Sequence, residues 1–179
     1  MNLPNKITLA RVCIIPIFLV IYILRPFEAD YLNVWLALCL FSVAAITDAL
    51  DGYLARKMNL VTNFGKLMDP LADKLLVCAA LVAFAASGTL PAWAVIIMIS
   101  REFYVSGLRQ IAVEQNIVLA ASNGAKFKTI AQMVLVIYLL SPITIDIVPF
   151  DWVILIVAVL ASVLSAFDYT VKNLSVFRG

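Results

Sequence analysis

Six apolar runs, each about as long as a bilayer core is thick, leave this chain few folds to adopt. They read as about Thr8 to Leu24, Tyr31 to Arg56, Leu67 to Ser87, Leu90 to Gln110, Gly124 to Leu140 and Trp152 to Lys172. A helix rises ~1.5 Å per residue, so about 20 residues cross a hydrocarbon core of ~30 Å. Only 13% of the residues are charged and 64% are hydrophobic, whereas soluble domains carry roughly 25% charged residues. The runs are continuous rather than alternating, which argues against a β-barrel. Pro26, Gly88, Pro91, Pro142 and Pro149 lie near the ends of the runs, where turn signals belong. With 179 residues, the spans leave almost nothing for a separate soluble domain. The expected fold is an all-α integral membrane protein, a six-transmembrane-helix bundle forming a single domain over residues 1–179.

The basic residues orient that bundle. With a cytoplasmic N-terminus, Lys6, Arg11, Arg56, Lys57, Lys66, Lys74, Arg101, Arg109, Lys126, Lys128, Lys172 and Arg178 fall on the inner side, and Arg25 alone falls outside. Glu28, Asp30, Asp146 and Asp151 fall opposite them. Lys and Arg concentrate on the cytoplasmic side of membrane proteins, so both termini are expected there, in the cell membrane. The first run lacks a small-x-small cleavage site and leads directly into further spans, so it is expected to stay as a helix rather than leave as a signal peptide.

The chain has no histidine, which removes the usual general base near neutral pH and the usual zinc ligand. Cys13, Cys39 and Cys78 lie one to a run without metal-ligand spacing, and packing is their expected role. Acid–base chemistry is left to carboxylates, lysines or water.

Four carboxylates occur where such a chain can least tolerate them. Asp48, Asp51, Gly52 and Ala55 recur at three- and four-residue spacing on the second run, and Gly65, Asp69 and Asp73 do the same on the third. Such spacing gathers side chains on one helix face. The second run descends and the third returns, so the two acidic faces are expected at one membrane face. Asp48 falls roughly 25 Å along the helix from Tyr31, near the inner edge of the core. A charged side chain at mid-bilayer costs on the order of 3 kcal/mol, and clustered carboxylates repel one another as well. Cations relieve both costs. Oxygen-only donors without His or Cys suit Mg²⁺ or Mn²⁺, with room for two ions. The residues allow a plainer reading too, in which the aspartates cap helix ends or pair with Arg56, Lys66 and Lys74. Asp69, preceding Pro70, is expected to serve also as a helix N-cap. No EF-hand register and no P-loop pattern is present.

Asp48, Asp51, Gly52, Ala55, Arg56, Gly65, Asp69 and Asp73 together match D-x-x-D-G-x-x-A-R-x(8)-G-x(3)-D-x(3)-D without departure. This resembles the CDP-alcohol phosphotransferase signature, and the resemblance extends over the whole chain. It implies a six-helix membrane enzyme, a homodimer, in which an alcohol attacks the β-phosphorus of a CDP-linked donor and displaces CMP. By position, it implies a metal site at Asp48, Asp51, Asp69 and Asp73, with Asp73 also the base for the acceptor hydroxyl. Gly52, Ala55, Arg56 and Gly65 would hold the cytidine nucleotide. Thr8 and Arg11 either border that nucleotide or serve as a helix cap and an inner-side charge.

The fourth and fifth runs repeat the hairpin with opposite charge, in "SREFYVSGLRQ" and "NGAKFKT". Arg101 falls only about 16 Å along the helix from Leu90, roughly half the core thickness, so it must face a polar interior. Guanidinium groups match phosphate oxygens bidentately, and Arg101, Arg109 and Lys126 are the expected ligands of an anionic acceptor. Pairing of Arg101 with Glu102 or an aspartate is the plainer alternative, with Lys128 touching only lipid headgroups. "LPNKITLARVCIIP", "NLVTNFGKLMDPLADKLLV", "REFYVSGLR" and "GAKFKT" are similar to the branch of the family that uses CDP-diacylglycerol and sn-glycerol 3-phosphate. Membrane lipid is the expected surrounding, and no nucleic-acid partner is expected. Siblings with other acceptors, such as inositol phosphate or phosphatidylglycerol, remain alternatives. From another class, a divalent-cation transporter would also use intramembrane aspartates, although these cluster at one face rather than at the midplane.

Overall fold

The computed structural model describes residues 3–58, 63–115, 123–142 and 150–174 and folds them into six α-helices with no strand among them. These are α1 (Leu3–Leu24), α2 (Asp30–Met58), α3 (Asn63–Ala86), α4 (Ala92–Glu114), α5 (Asn123–Leu140) and α6 (Phe150–Lys172). Each expected run is present, one helix per run. Side chains are described for Ala10 and for residues 12–47, 74–115, 124–142 and 150–174. By length and composition, α2 over Asp30–Thr47 and α6 over Phe150–Lys172 are apolar enough to cross a membrane, and Val12–Leu24 and Lys74–Ala86 form shorter apolar stretches.

All the helices except α4 begin earlier than their apolar runs. α3 starts at Asn63, four residues before Leu67, and so passes through Asp69 and Pro70. This corrects the expectation that Asp69 caps the helix: an N-cap stands outside the helical turns, and Asp69 is well within them. A proline inside a helix removes one i to i−4 hydrogen bond, and the helix continues regardless. Pro16 within α1 is tolerated in the same way.

The chain divides into two compact units. The first comprises Met1–Thr89 and Val136–Thr144. Here α1 packs on both α2 and α3 through Phe18, Phe41 and Phe84, all fully buried. The Phe18 and Phe41 rings lie 6.1 Å apart, and Tyr22 meets Phe84 edge-on at 5.3 Å. Those separations suit aromatic quadrupoles, which favour tilted and T-shaped pairs. The turn between α1 and α2 is fastened by buried Asn33, whose Nδ2 donates to the Phe27 carbonyl at 2.7 Å and whose Oδ1 accepts from the Phe27 amide at 3.2 Å. The Tyr22 hydroxyl meets Ser87 Oγ at 3.2 Å and Thr89 Oγ1 at 3.3 Å, tying the end of α1 to the turn after α3. Cys13 and Cys39 are exposed, and Cys78 is partly exposed. The first two therefore point outward from α1 and α2, contrary to the packing role expected for them.

The second unit comprises Leu90–Leu135 and Ile145–Gly179, with α4 packed against α6. On α6 the buried face carries Leu155, Ala158, Val159, Ala161, Ser162, Ser165 and Tyr169. Trp152, Ile156, Leu160, Leu164 and Phe167 are exposed on its other side. Most of the inward side chains, Ala158, Ala161, Ser162 and Ser165, are small, with Leu155, Val159 and Tyr169 set among them, and the outward ones are bulky and apolar. That reverses the pattern of a water-soluble helix and is how membrane helices approach one another closely.

Candidate functional site

The fold puts the acidic signature on two consecutive helices of the first unit. Asp48, Asp51, Gly52, Ala55 and Arg56 all lie on α2, and Gly65, Asp69 and Asp73 on α3. Regular helix through both segments preserves the three- and four-residue spacing, so each set shares one helix face. The side chains of these eight residues, and the 59–62 connection, lie outside the described residues, as do the side chains of Thr8 and Arg11. Among the described residues, no group of three or more carboxylate or cysteine side chains is arranged to hold a metal.

The basic site belongs to the second unit. On α4 the buried stripe reads Ala94, Val95, Met98, Arg101, Glu102, Val105, Leu108, Ala112. Arg101 and Glu102 thus stand on the packed face of an apolar helix, each only 8% exposed. Arg101 Nη1 donates to Glu102 Oε1 at 3.3 Å, and Arg101 Nη2 donates to Ser165 Oγ on α6. The same Glu102 oxygen pairs with the Lys128 ammonium on α5, and Lys128 is 5% exposed. Two cations therefore converge on one carboxylate, leaving this triad with one excess positive charge.

One polar atom of the triad is unserved. Arg101 Nε is buried and has no hydrogen-bond partner among the described residues. A buried donor left unpaired costs about 1–3 kcal/mol, more when it is charged. Removing one partner of a buried ion pair costs roughly 3–5 kcal/mol. The triad is accordingly held together tightly while keeping one charged donor unspent, an arrangement suited to an incoming anion.

Arg109 and Lys126 are both exposed. Arg109 is nevertheless placed: its Nε donates to the hydroxyl of buried Tyr169 at 3.3 Å, with Cζ 5.9 Å from the ring centroid. Val105, Leu108 and Tyr169 form the apolar patch beneath it. Between α5 and α6 lies a cleft of about 580 Å³, walled by Phe127, Val157, Leu160 and Leu164 with Ser165 and Asp168 at its polar margin. Ser165 thus joins the Arg101 guanidinium to the wall of this cleft. Asp168 is bridged by Lys172 at 2.8 Å.

Of the residues the sequence marked, the structure brings Arg101 into a buried polar setting and braces Arg109, and it leaves Lys126 at the surface. The plainer alternative holds in one half and fails in the other: Arg101 does pair with Glu102, but Lys128 does not merely touch lipid headgroups, because its ammonium is buried against Glu102. Ser165 is an addition to the site, and Glu102, expected only as a partner of Arg101, also holds Lys128. A signal for Glu102 and Lys128 existed in the helical register, where Glu102 follows Val95 and Met98, and Lys128 precedes Gln132 and Leu135.

A family model described as CDP-alcohol phosphatidyltransferase matches residues 1–164, which include parts of both units. The chain belongs to the CDP-alcohol phosphatidyltransferase family. Among curated relatives in that family, it is 48% identical to the CDP-diacylglycerol–glycerol-3-phosphate 3-phosphatidyltransferase of Bacillus subtilis, over 96% of this chain and 95% of the relative. Similar proteins of the same name occur in Rickettsia typhi, 40% identical over 74% of this chain and 72% of the relative, and in Haemophilus influenzae, 42% identical over 74% and 71%. The family membership and the outward-facing apolar helices agree in associating the chain with a membrane.

Proposed function

We propose that this chain transfers the phosphatidyl group of CDP-diacylglycerol to sn-glycerol 3-phosphate, releasing CMP and forming phosphatidylglycerophosphate for phospholipid synthesis. Similarity to the Bacillus subtilis enzyme along nearly the whole chain supports the reaction. The observation that carries the acceptor's charge is the buried Arg101 guanidinium with its unspent Nε. A neutral alcohol would leave that donor unpaired, whereas a phosphate monoester can satisfy it.

In this reading the protein is a single six-span domain with both termini in the cytoplasm, working as a homodimer in the cell membrane with its active site at the cytoplasmic face. Asp48, Asp51, Asp69 and Asp73 form an oxygen-only donor set suited to two Mg²⁺ or Mn²⁺ ions. Bound there, the metal would offset the diphosphate charge and polarise the phosphorus under attack. Gly52, Ala55 and Gly65 let the cytidine nucleotide approach the backbone closely, and Arg56 forks onto a phosphate. Arg101, Arg109 and Lys126 hold the phosphate of the acceptor. A lone pair of the acceptor's free primary hydroxyl forms the new bond to the β-phosphorus. The bond from that phosphorus to the bridging oxygen breaks, and its electron pair leaves with CMP. Asp73 takes the hydroxyl proton, since the chain has no histidine to do so. Transfer of this type depends chiefly on positioning and charge.

The test is purified protein with CDP-diacylglycerol and a panel of acceptors, read by CMP release. Glycerol 3-phosphate is expected to react, with glycerol, serine, inositol phosphate and phosphatidylglycerol far slower. Equal use of glycerol or phosphatidylglycerol would overturn the acceptor while sparing the CDP-alcohol chemistry. Divalent-cation flux in proteoliposomes without any CDP-lipid would instead favour a transporter.

A further inference from the structure

Glu102 occupies an unusual place for a carboxylate. It is buried on an apolar helix, and one of its oxygens meets two cations from different helices, Arg101 of α4 and Lys128 of α5. Adjacent helix positions diverge by about 100° and do not normally face each other, yet Arg101 Nη1 reaches back to its neighbour while Nη2 reaches across to Ser165. The guanidinium is thereby fixed from two sides, and Nε is the buried side-chain polar atom among the described residues left without a partner.

We propose that Glu102 is a positioning residue for acceptor binding. Its negative charge fixes the Arg101 guanidinium and holds Lys128 beside it despite their mutual repulsion, so that Arg101 presents its remaining donor to the acceptor's phosphate. The inference rests on the reading of Arg101 as an acceptor ligand. Two like charges close together in a medium of low dielectric separate unless an anion lies between them. In the free enzyme that anion is Glu102. The essential property is charge rather than shape, which separates this role from simple core packing.

The experiment compares wild type, Glu102→Gln and Glu102→Asp in CMP-release kinetics, varying glycerol 3-phosphate and CDP-diacylglycerol in turn, with size-exclusion profiles and thermal melts as checks on folding. Glu102→Gln keeps the shape and loses the charge, and should raise the KM for glycerol 3-phosphate about tenfold, the scale of one charge-assisted contact, with the CDP-diacylglycerol KM within about twofold. Glu102→Asp keeps the charge with a shorter reach and should fall between the two. A packing role predicts the opposite order, with the isosteric Gln variant near wild type and Asp the worse, and that order would overturn the proposal. A parallel rise in both KM values would overturn it as well. Should Glu102→Gln fail to fold, Glu102→Asp decides alone: a selective rise of a fewfold in acceptor KM supports the role, and an unchanged or unselective KM ends it. Failure of the parent reading looks different, since wild type itself would then not use glycerol 3-phosphate, and the proposal would fall with it.

Discussion

Arg109 lies against the face of Tyr169, its Cζ 5.9 Å from the ring centroid while its Nε donates to the same residue's hydroxyl at 3.3 Å. Tyr169 is 1% exposed, and its carbonyl accepts from Asn173 Nδ2 at 2.8 Å. An exposed, flexible arginine is thus steered by a rigid aromatic beneath it.

Replacing Tyr169 by Phe should retain the ring and remove only the hydroxyl. The expected result is a rise of severalfold in the KM for glycerol 3-phosphate at nearly unchanged stability, because a net hydrogen bond is worth about 0.5–1.5 kcal/mol. Steady-state kinetics beside a thermal melt would check this, and an unchanged acceptor KM would detach Arg109 from the substrate.

Chelation should abolish turnover, and Mg²⁺ or Mn²⁺ should restore it. Asp51→Asn and Asp69→Asn each remove one ligand charge from a hard-cation site, and each should raise the metal concentration needed for half-maximal rate while lowering the maximal rate at least tenfold. Titration of activity with Mg²⁺ after EDTA treatment measures both. An Asn variant with wild-type metal dependence would reassign that residue to structure.

Ser162 is fully buried on the small-residue face of α6, donating to the Ala158 carbonyl at 2.8 Å and accepting from Gln132 Nε2 on α5 at 3.3 Å. Ser162→Leu should lower stability by about 1–3 kcal/mol through overpacking, with the unpaired Gln132 amide adding to the loss. Leu160→Ala, on the exposed face of the same helix, should cost far less. Thermal melts in one detergent would rank the two, and equal losses would contradict the inward placement of Ser162.

The orientation can be tested without any activity. A reporter fused after Gly179 should be cytoplasmic, and a cysteine introduced beside Arg25 should be labelled by a membrane-impermeant reagent applied outside intact cells. An external C-terminal signal would overturn the topology.

What the sequence disclosed followed from the strength of each signal. Run length located every helix, because a stretch of about 20 apolar residues has few other uses. Helix starts were harder to read: Asn63 to Lys66 begin α3 with Phe64 as their one apolar residue, and so Asp69, already inside it, looked like a cap. Arg101 betrayed its polar setting by its depth in the run. Lys128 did not, since its partner Glu102 is distant in the chain and only packing of α5 near α4 brings them together. The outward aim of Cys13 and Cys39 was equally hidden, because a run that is apolar on every side shows little amphipathic contrast.

The inverted face of α6 bears on how the protein tolerates change. Where the outward side chains are bulky and most of the inward ones small, a map of permitted substitutions should read largely backwards from that of a water-soluble protein. Trp152, Ile156, Leu160 and Leu164 could drift freely among large apolar residues, while Ala158, Ala161, Ser162 and Ser165 could scarcely grow by a methyl group. Such a chain would record its ancestry most faithfully in its smallest residues.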